Sequence, residues 1–191
     1  MEDAANLGKD QVIDQLSSPG LFLFLGYHPR ANLDLALEFV LGVARSGSKA
    51  FVLDCDHTVV LDRERQNLED EEPRRVLISH PEDLGGLVGD LEASSKIEGI
   101  GVLLVNRPSS IIDDSDNLKR FEAKRELWTR ASPYLRTHKV SHPVIVIEDT
   151  RRYDEVEYKV HPALYYQSNL VLDPVERGKD VEQYRVLKRR L

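Results

Sequence analysis

The run Leu21-Phe22-Leu23-Phe24-Leu25 offers no polar residue to either side of an extended chain. A strand built from it has to be covered on both faces, which points to an interior position in a parallel sheet. Phe51 to Leu53, Ile100 to Val105 and Val144 to Ile147 repeat the pattern, and Arg75 to Ile78 reads as a further strand. Helical periodicity fills the gaps. Residues 32–46 place Leu33, Leu37, Val40, Leu41 and Ala44 on one face, and Gly47 supplies the stop. Ser79-His80-Pro81-Glu82 fits a capping box ahead of a helix carrying Leu84, Leu87, Val88 and Leu91. A charged helix from about Asn117 has Leu118, Phe121, Trp128, Ala131 and Leu135 as its inner stripe, with a kink expected at Pro133. Ala163 to Leu172 and Gln183 to Lys188 read as trailing strands. The expected fold is α/β, a mostly parallel central sheet flanked by helices. Residues 1–20 form an extension holding a short helix with Val12, Ile13 and Leu16 on one side, and 21–191 form the domain.

A chain of 191 residues is long enough to bury a core of ordinary size. The single cysteine, Cys55, excludes an internal disulfide and a cysteine-based zinc cage, and fits a reducing nuclear or cytoplasmic compartment. No run is apolar enough to cross a bilayer, and the start Met1-Glu2-Asp3-Ala4 is unlike a leader. The formal charge of −7 argues against a nucleic-acid-binding surface covering the whole protein but not against a local basic patch.

After Leu25 come Gly26, then Tyr27, His28, Pro29 and Arg30, then Ala31, Asn32 and Leu33 as a helix opens. This is the frame of the phosphate-binding loop G-x-x-x-x-G-K-[ST] with its chemistry replaced. In a working loop backbone N–H groups wrap the phosphates, lysine neutralises charge and a hydroxyl holds magnesium. Asn32 supplies no cation, and Leu33 cannot coordinate a metal. Losing several such electrostatic groups together leaves no workable phosphoryl transfer.

Taken in order, these segments resemble the ATPase core of the RecA/RadA recombinase superfamily from about Leu21 onward. The Gly26 loop falls where that family has its Walker A motif. Val52-Leu53-Asp54-Cys55-Asp56-His57-Thr58, leading to Asp62-Arg63-Glu64-Arg65, is similar to its second strand and places Asp56 at the catalytic glutamate position. Gly101 to Asn106 resembles the Walker B strand, with Asn106 in place of an aspartate. Val144 to Ile147 and His161 to Leu172 resemble the strands on either side of the second DNA-binding loop. The resemblance implies a RecA-like sheet with trailing C-terminal strands and a degenerate ATPase site without cofactor or metal. It further implies a mediator of recombinational DNA repair, as in Shu-type complexes that lack functional Walker motifs. Gly26, Tyr27, His28, Pro29, Arg30, Ala31, Asn32, Leu33 and Asn106 would then form a protein interface. The partner would be a recombinase or sister paralogue subunit, in a hetero- or homo-oligomer. Single-stranded or forked DNA would meet Lys119, Arg120, Lys124 and Arg125 at the first loop position and Arg151 and Arg152, beside Tyr153, at the second. A structural subunit of the Elongator type, binding tRNA, shares the same features.

An enzyme-class alternative stays open. Phe51 to Thr58 also resembles motif I of the haloacid-dehalogenase phosphatases, hhhhDxDxT. Asp54 would be the nucleophile, Asp56 the general acid/base and magnesium the ion between them. Ser109 or Ser110, Lys139, and Glu148-Asp149 are the candidates for the remaining motifs. His28, His57, His80, His138, His142 and His161 are read as having no ligand spacing, so histidine metal binding is not expected.

Overall fold

The computed structural model describes residues 6–26, 29–61, 71–112, 117–148, 161–177 and 180–189. The elements run β1 (Asn6–Gly8), α1 (Lys9–Leu16), β2 (Gly20–Leu25), α2 (Pro29–Arg45), β3 (Lys49–Asp54), α3 (Glu72–Arg75) and β4 (Val76–Ser79). They continue with α4 (Leu84–Ser94), β5 (Ile100–Asn106), a 3-10 turn (Pro108–Ile111) and α5 (Asn117–Ser141). β6 (Pro143–Glu148), α6 (Pro162–Gln167), β7 (Leu170–Arg177) and β8 (Asp180–Arg189) complete the described chain.

One 8-stranded sheet has the order β1-β8-β7-β2-β6-β5-β3-β4. From β7 to β4 every pairing is parallel, whereas β8 runs antiparallel to both β7 and β1. The all-apolar β2 lies between β6 and β7, and alternate residues of the interior strands feed two separate cores. Phe22, Phe24, Val52, Leu104, Ile145 and Ile147 pack with α1, α2 and Tyr184 on one face. Leu21, Leu23, Leu53, Val105, Val144 and Val146 pack with α4, α5 and α6 on the other. At about 25 cal/mol per Å² of apolar surface removed from water, these two layers are the main stabilising term of the fold. Val12 and Leu16 of α1 are fully buried in the first layer, and β1 pairs its Leu7 with Tyr184.

Three local readings are corrected. The helix after β4 starts at Leu84, not at Pro81: Asp83 is its N-cap, accepting from the Gly86 N–H at 2.7 Å, and this leaves Ser79 and Pro81 outside. Ala163 to Gln167 is helical, not extended. His161 caps this turn through the Ala163 N–H at 3.2 Å and Pro162 occupies the first helical position. Tyr165 and Tyr166 therefore lie on a helix, the first half-buried and the second exposed. The helix following β2 begins at Pro29, earlier than residue 32.

Candidate functional site

The parallel strands β2, β6, β5 and β3 end side by side, with Leu25 opposite Glu148, Ile147 opposite Asn106, and Asn106 opposite Asp54. In open α/β sheets ligands collect beyond the carboxyl ends of the strands. Here that edge is occupied by side chains bonded to one another.

Asn106 is fully buried and its Nδ2 lies 2.8 Å from Asp54 Oδ1, 2.7 Å from Asp56 Oδ1 and 3.1 Å from Thr58 Oγ1. Carboxylates only accept, so the amide must turn its N–H₂ toward them. Its Oδ1 is buried with no partner among the described residues. The other oxygen of Asp54 accepts from the Val59 N–H at 2.9 Å and lies 3.5 Å from His80 Nδ1. Asp56 Oδ2 pairs with the Arg107 guanidinium at 2.7 Å, and Thr58 donates to Asp56 Oδ1 at 2.8 Å. Arg107 reaches this pair from a left-handed backbone, φ 49°, which starts the turn at Pro108. Ser110 closes the turn, its hydroxyl lying 2.7 Å from the carbonyls of both Cys55 and Arg107, which share its single proton. Burial, reinforced by the nearby carboxylates of Asp54, Glu148 and Asp56, pushes the Cys55 thiol well above its ordinary range. It is a packed, neutral group.

Three residues, 26–28, separate β2 from α2. Gly26 is buried at φ 120°, where a Cβ would sit 2.9 Å from Asp173 Oδ1 and 3.0 Å from the Pro174 ring. Its lack of a side chain thus serves contact with β7. Asn32 is fully buried and donates to the Leu25 carbonyl at 3.2 Å, so it points back to the strand end. Leu33 joins the apolar layer beneath α2, Ala31 is half-buried and Arg30 is exposed. Tyr27, His28 and the Pro29 side chain lie outside the described residues.

The structure brings Asp54, Asp56 and Asn106 together, as their places at adjacent strand ends required. Sequence reading missed Arg107, Thr58 and His80 as members of this cluster. The available signal for Arg107 was its place between a strand end and Pro108, where the chain must turn. Lys139 is not brought to Asp54: its Nζ donates to the Gln167 carbonyl at 2.8 Å, and it lies just before β6 begins, toward the amino ends of the parallel strands. Of the DNA-contact candidates, Arg125 is exposed and Lys124 half-buried on α5, where Glu126 and Arg130 form an i,i+4 pair at 3.4 Å. The side chains of Lys119 and Arg120, and all of Arg151, Arg152 and Tyr153, lie outside the described residues. His138 and His142 stand one helical turn apart with ring nitrogens 2.9 Å from each other, a spacing the sequence reading passed over. Among the described residues no group of three or more His, Cys, Asp or Glu side chains is placed to share a metal ion. No helix among them is long and apolar enough to cross a membrane.

Sheet order, flanking layers and the antiparallel C-terminal strands define an α/β domain with the RecA/RadA-type fold. Among solved structures, the chain is similar to the crystal structure of the RadB recombinase. It superposes with a TM-score of 0.65 over 93% of this chain and 87% of that one, at 17% sequence identity. Neither a protein-family model nor a curated protein matches the sequence.

Proposed function

We propose that this chain is a non-catalytic recombinase paralogue, an accessory subunit that helps a partner recombinase load during homologous recombination and DNA repair. One observation carries the reading: the side chains at the sites of phosphate and magnesium chemistry are committed to internal bonds. Asn32, at the lysine position, bonds the end of the preceding strand β2. Asn106, at the Walker B position, cross-links Asp54 and Asp56. Pro29, which opens α2, carries no backbone N–H, so the loop has one donor fewer to wrap a phosphate. A RecA-type domain without these groups keeps its shape and its packing surfaces. The similarity to a recombinase structure suggests the class of partner. The exposed Arg30, at the start of α2, is the residue we assign to that contact, and Arg125 on α5 is assigned to single-stranded or forked DNA. The phosphatase alternative is weakened by Asp54, whose two oxygens are held by Asn106 and Val59, and by Lys139, which lies at the opposite ends of the strands.

Two measurements test the proposal. A fluorescent ATP analogue titrated with magnesium should give no saturable binding, and stoichiometric magnesium-dependent binding at the Gly26 loop would refute it. Affinity purification from native lysate, with and without nuclease, should recover a recombinase-type protein in both samples and lose it with Arg30→Glu. Recovery dependent on nucleic acid alone would sink the protein-contact reading.

A further inference from the structure

We propose that His138 and His142 form a binding site for one divalent transition-metal ion of tetragonal preference, copper(II) or nickel(II), where α4 and α5 end together. The site lies at the opposite end of the sheet from the Asp54 cluster and has no part in the reading above.

Hydrogen bonds fix how the two rings are disposed. Ser94, the last residue of α4, donates its hydroxyl proton to the Leu91 carbonyl at 2.8 Å. Its oxygen is then left to accept, so the contact of 2.9 Å to His138 Nε2 requires that nitrogen to carry the proton. A carbonyl contact at 3.5 Å, again from Leu91, supports the same tautomer. His138 Nδ1 must therefore present a lone pair, and it does so toward His142 Nε2, 2.9 Å away. An imidazole whose far N–H is held by an oxygen acceptor is the arrangement that orients histidine ligands at metal centres. A metal ion would displace the single proton shared by Nδ1 and Nε2 and sit to one side of the line joining them, both rings turning to face it, with His142 holding its own proton on Nδ1.

The spacing selects the metal. With metal–nitrogen bonds of about 2.05 Å, nitrogens 2.9 Å apart subtend about 90° at the ion, the cis angle of a square-planar or octahedral site. A tetrahedral zinc ion would need the nitrogens about 3.3 Å apart. Two protein ligands leave the remaining positions to water, and His142 is only partly buried, so the ion has a path in.

Local electrostatics point the same way. The negative ends of two helix dipoles meet here, since Ser94 ends α4 while His138 and His142 occupy the last turn of α5 and the position after it. Lys139, the neighbouring cation, directs its ammonium to the Gln167 carbonyl on α6. Burial holds both imidazoles below their ordinary range, His142 to about 4, with His138 as the second cause for His142. Both are neutral ligands at pH 7.

The test uses the full untagged chain, with copper(II), nickel(II) and zinc(II) chlorides titrated separately by calorimetry at pH 7.5. One ion per chain is expected, with copper bound tighter than nickel or zinc. The copper complex should show superhyperfine structure from two imidazole nitrogens in its electron paramagnetic resonance spectrum. His142→Ala should weaken copper binding at least tenfold. His142→Gln, which keeps an N–H donor for His138 and so preserves packing, should do the same. His80→Ala removes half of a separate histidine pair, the stacked rings of His57 and His80, 4.8 Å between centroids, and should leave binding unchanged. Absence of saturable copper binding below about 1 mM, unaltered affinity in both His142 variants, or loss in His80→Ala would each overturn the proposal.

Discussion

Asn106→Asp changes one buried NH₂ into an oxygen and adds no volume. In the native protein that NH₂ touches two carboxylates at 2.8 and 2.7 Å. Each is a hydrogen bond to a charged acceptor, worth about 1.5–3 kcal/mol. The substitution removes both and sets a third carboxylate against Asp54, which has no solvent exposure, and Asp56. Full ionisation of three carboxylates in contact costs more than a domain of this size can tolerate, so one proton is taken up and limits the loss. The expected destabilisation at pH 7.5 is about 3–5 kcal/mol. The proton must reside on a carboxyl whose folded-state pKa is raised. The stability it contributes is present below the unfolded value near 4 and is lost as pH rises through the raised one. The gap between variant and native protein should therefore narrow as pH falls from 7.5 toward 5. Urea unfolding followed by Trp128 fluorescence suits the measurement, because this is the only tryptophan and is buried on the inner face of α5. A variant within 1 kcal/mol of native at pH 7.5, or a gap that does not change with pH, would refute the account of Asn106 as the donor joining two charged carboxylates.

Gly26→Ala forces a Cβ onto a backbone at φ 120° and to 2.9 Å from Asp173; a loss of about 2–4 kcal/mol by the same urea assay is expected. The Tyr184 hydroxyl is buried without a partner among the described residues, and nearby Asp34, after burial itself, helps push its pKa up. Tyr184→Phe should match or exceed native stability by up to about 1 kcal/mol, whereas Tyr184→Ala, which removes the ring packed edge-on against Phe24, should lose about 3–5 kcal/mol. His138 and His142 have folded-state pKa values below that of the unfolded chain, near 6.5, so protons favour unfolding. Their contribution is complete above pH 6.5 and is lost as pH falls toward about 4, by about 1–2 kcal/mol once partial exposure is discounted. In His142→Gln the urea midpoint should fall less steeply between those pH values than in the native chain.

The interior strands were legible because burial on both faces leaves its mark on every residue, as in Leu21 to Leu25. Ala163 to Gln167 was misread because Leu, Tyr and Tyr suit a strand, and only the capping contact of His161 decides for a helix. β1 could not be read: it spans three residues, and its order derives from Tyr184 and Gln183 at the far end of the chain. The same limit applies to the site. Asp54 and Asp56 stand out as a pair, but their partners Asn106 and Arg107 become neighbours only once β5 lies beside β3. Sequence separation hides a contact made by strand order.

That strand order bears on how the protein emerges from the ribosome. β2 is made early, yet both strands that flank it, β6 and β7, come from residues 143 onward. Until then this wholly apolar segment has no hydrogen-bonding neighbour on either side. A nascent or truncated chain ending before residue 143 should need a chaperone to keep that segment from pairing with another copy of itself.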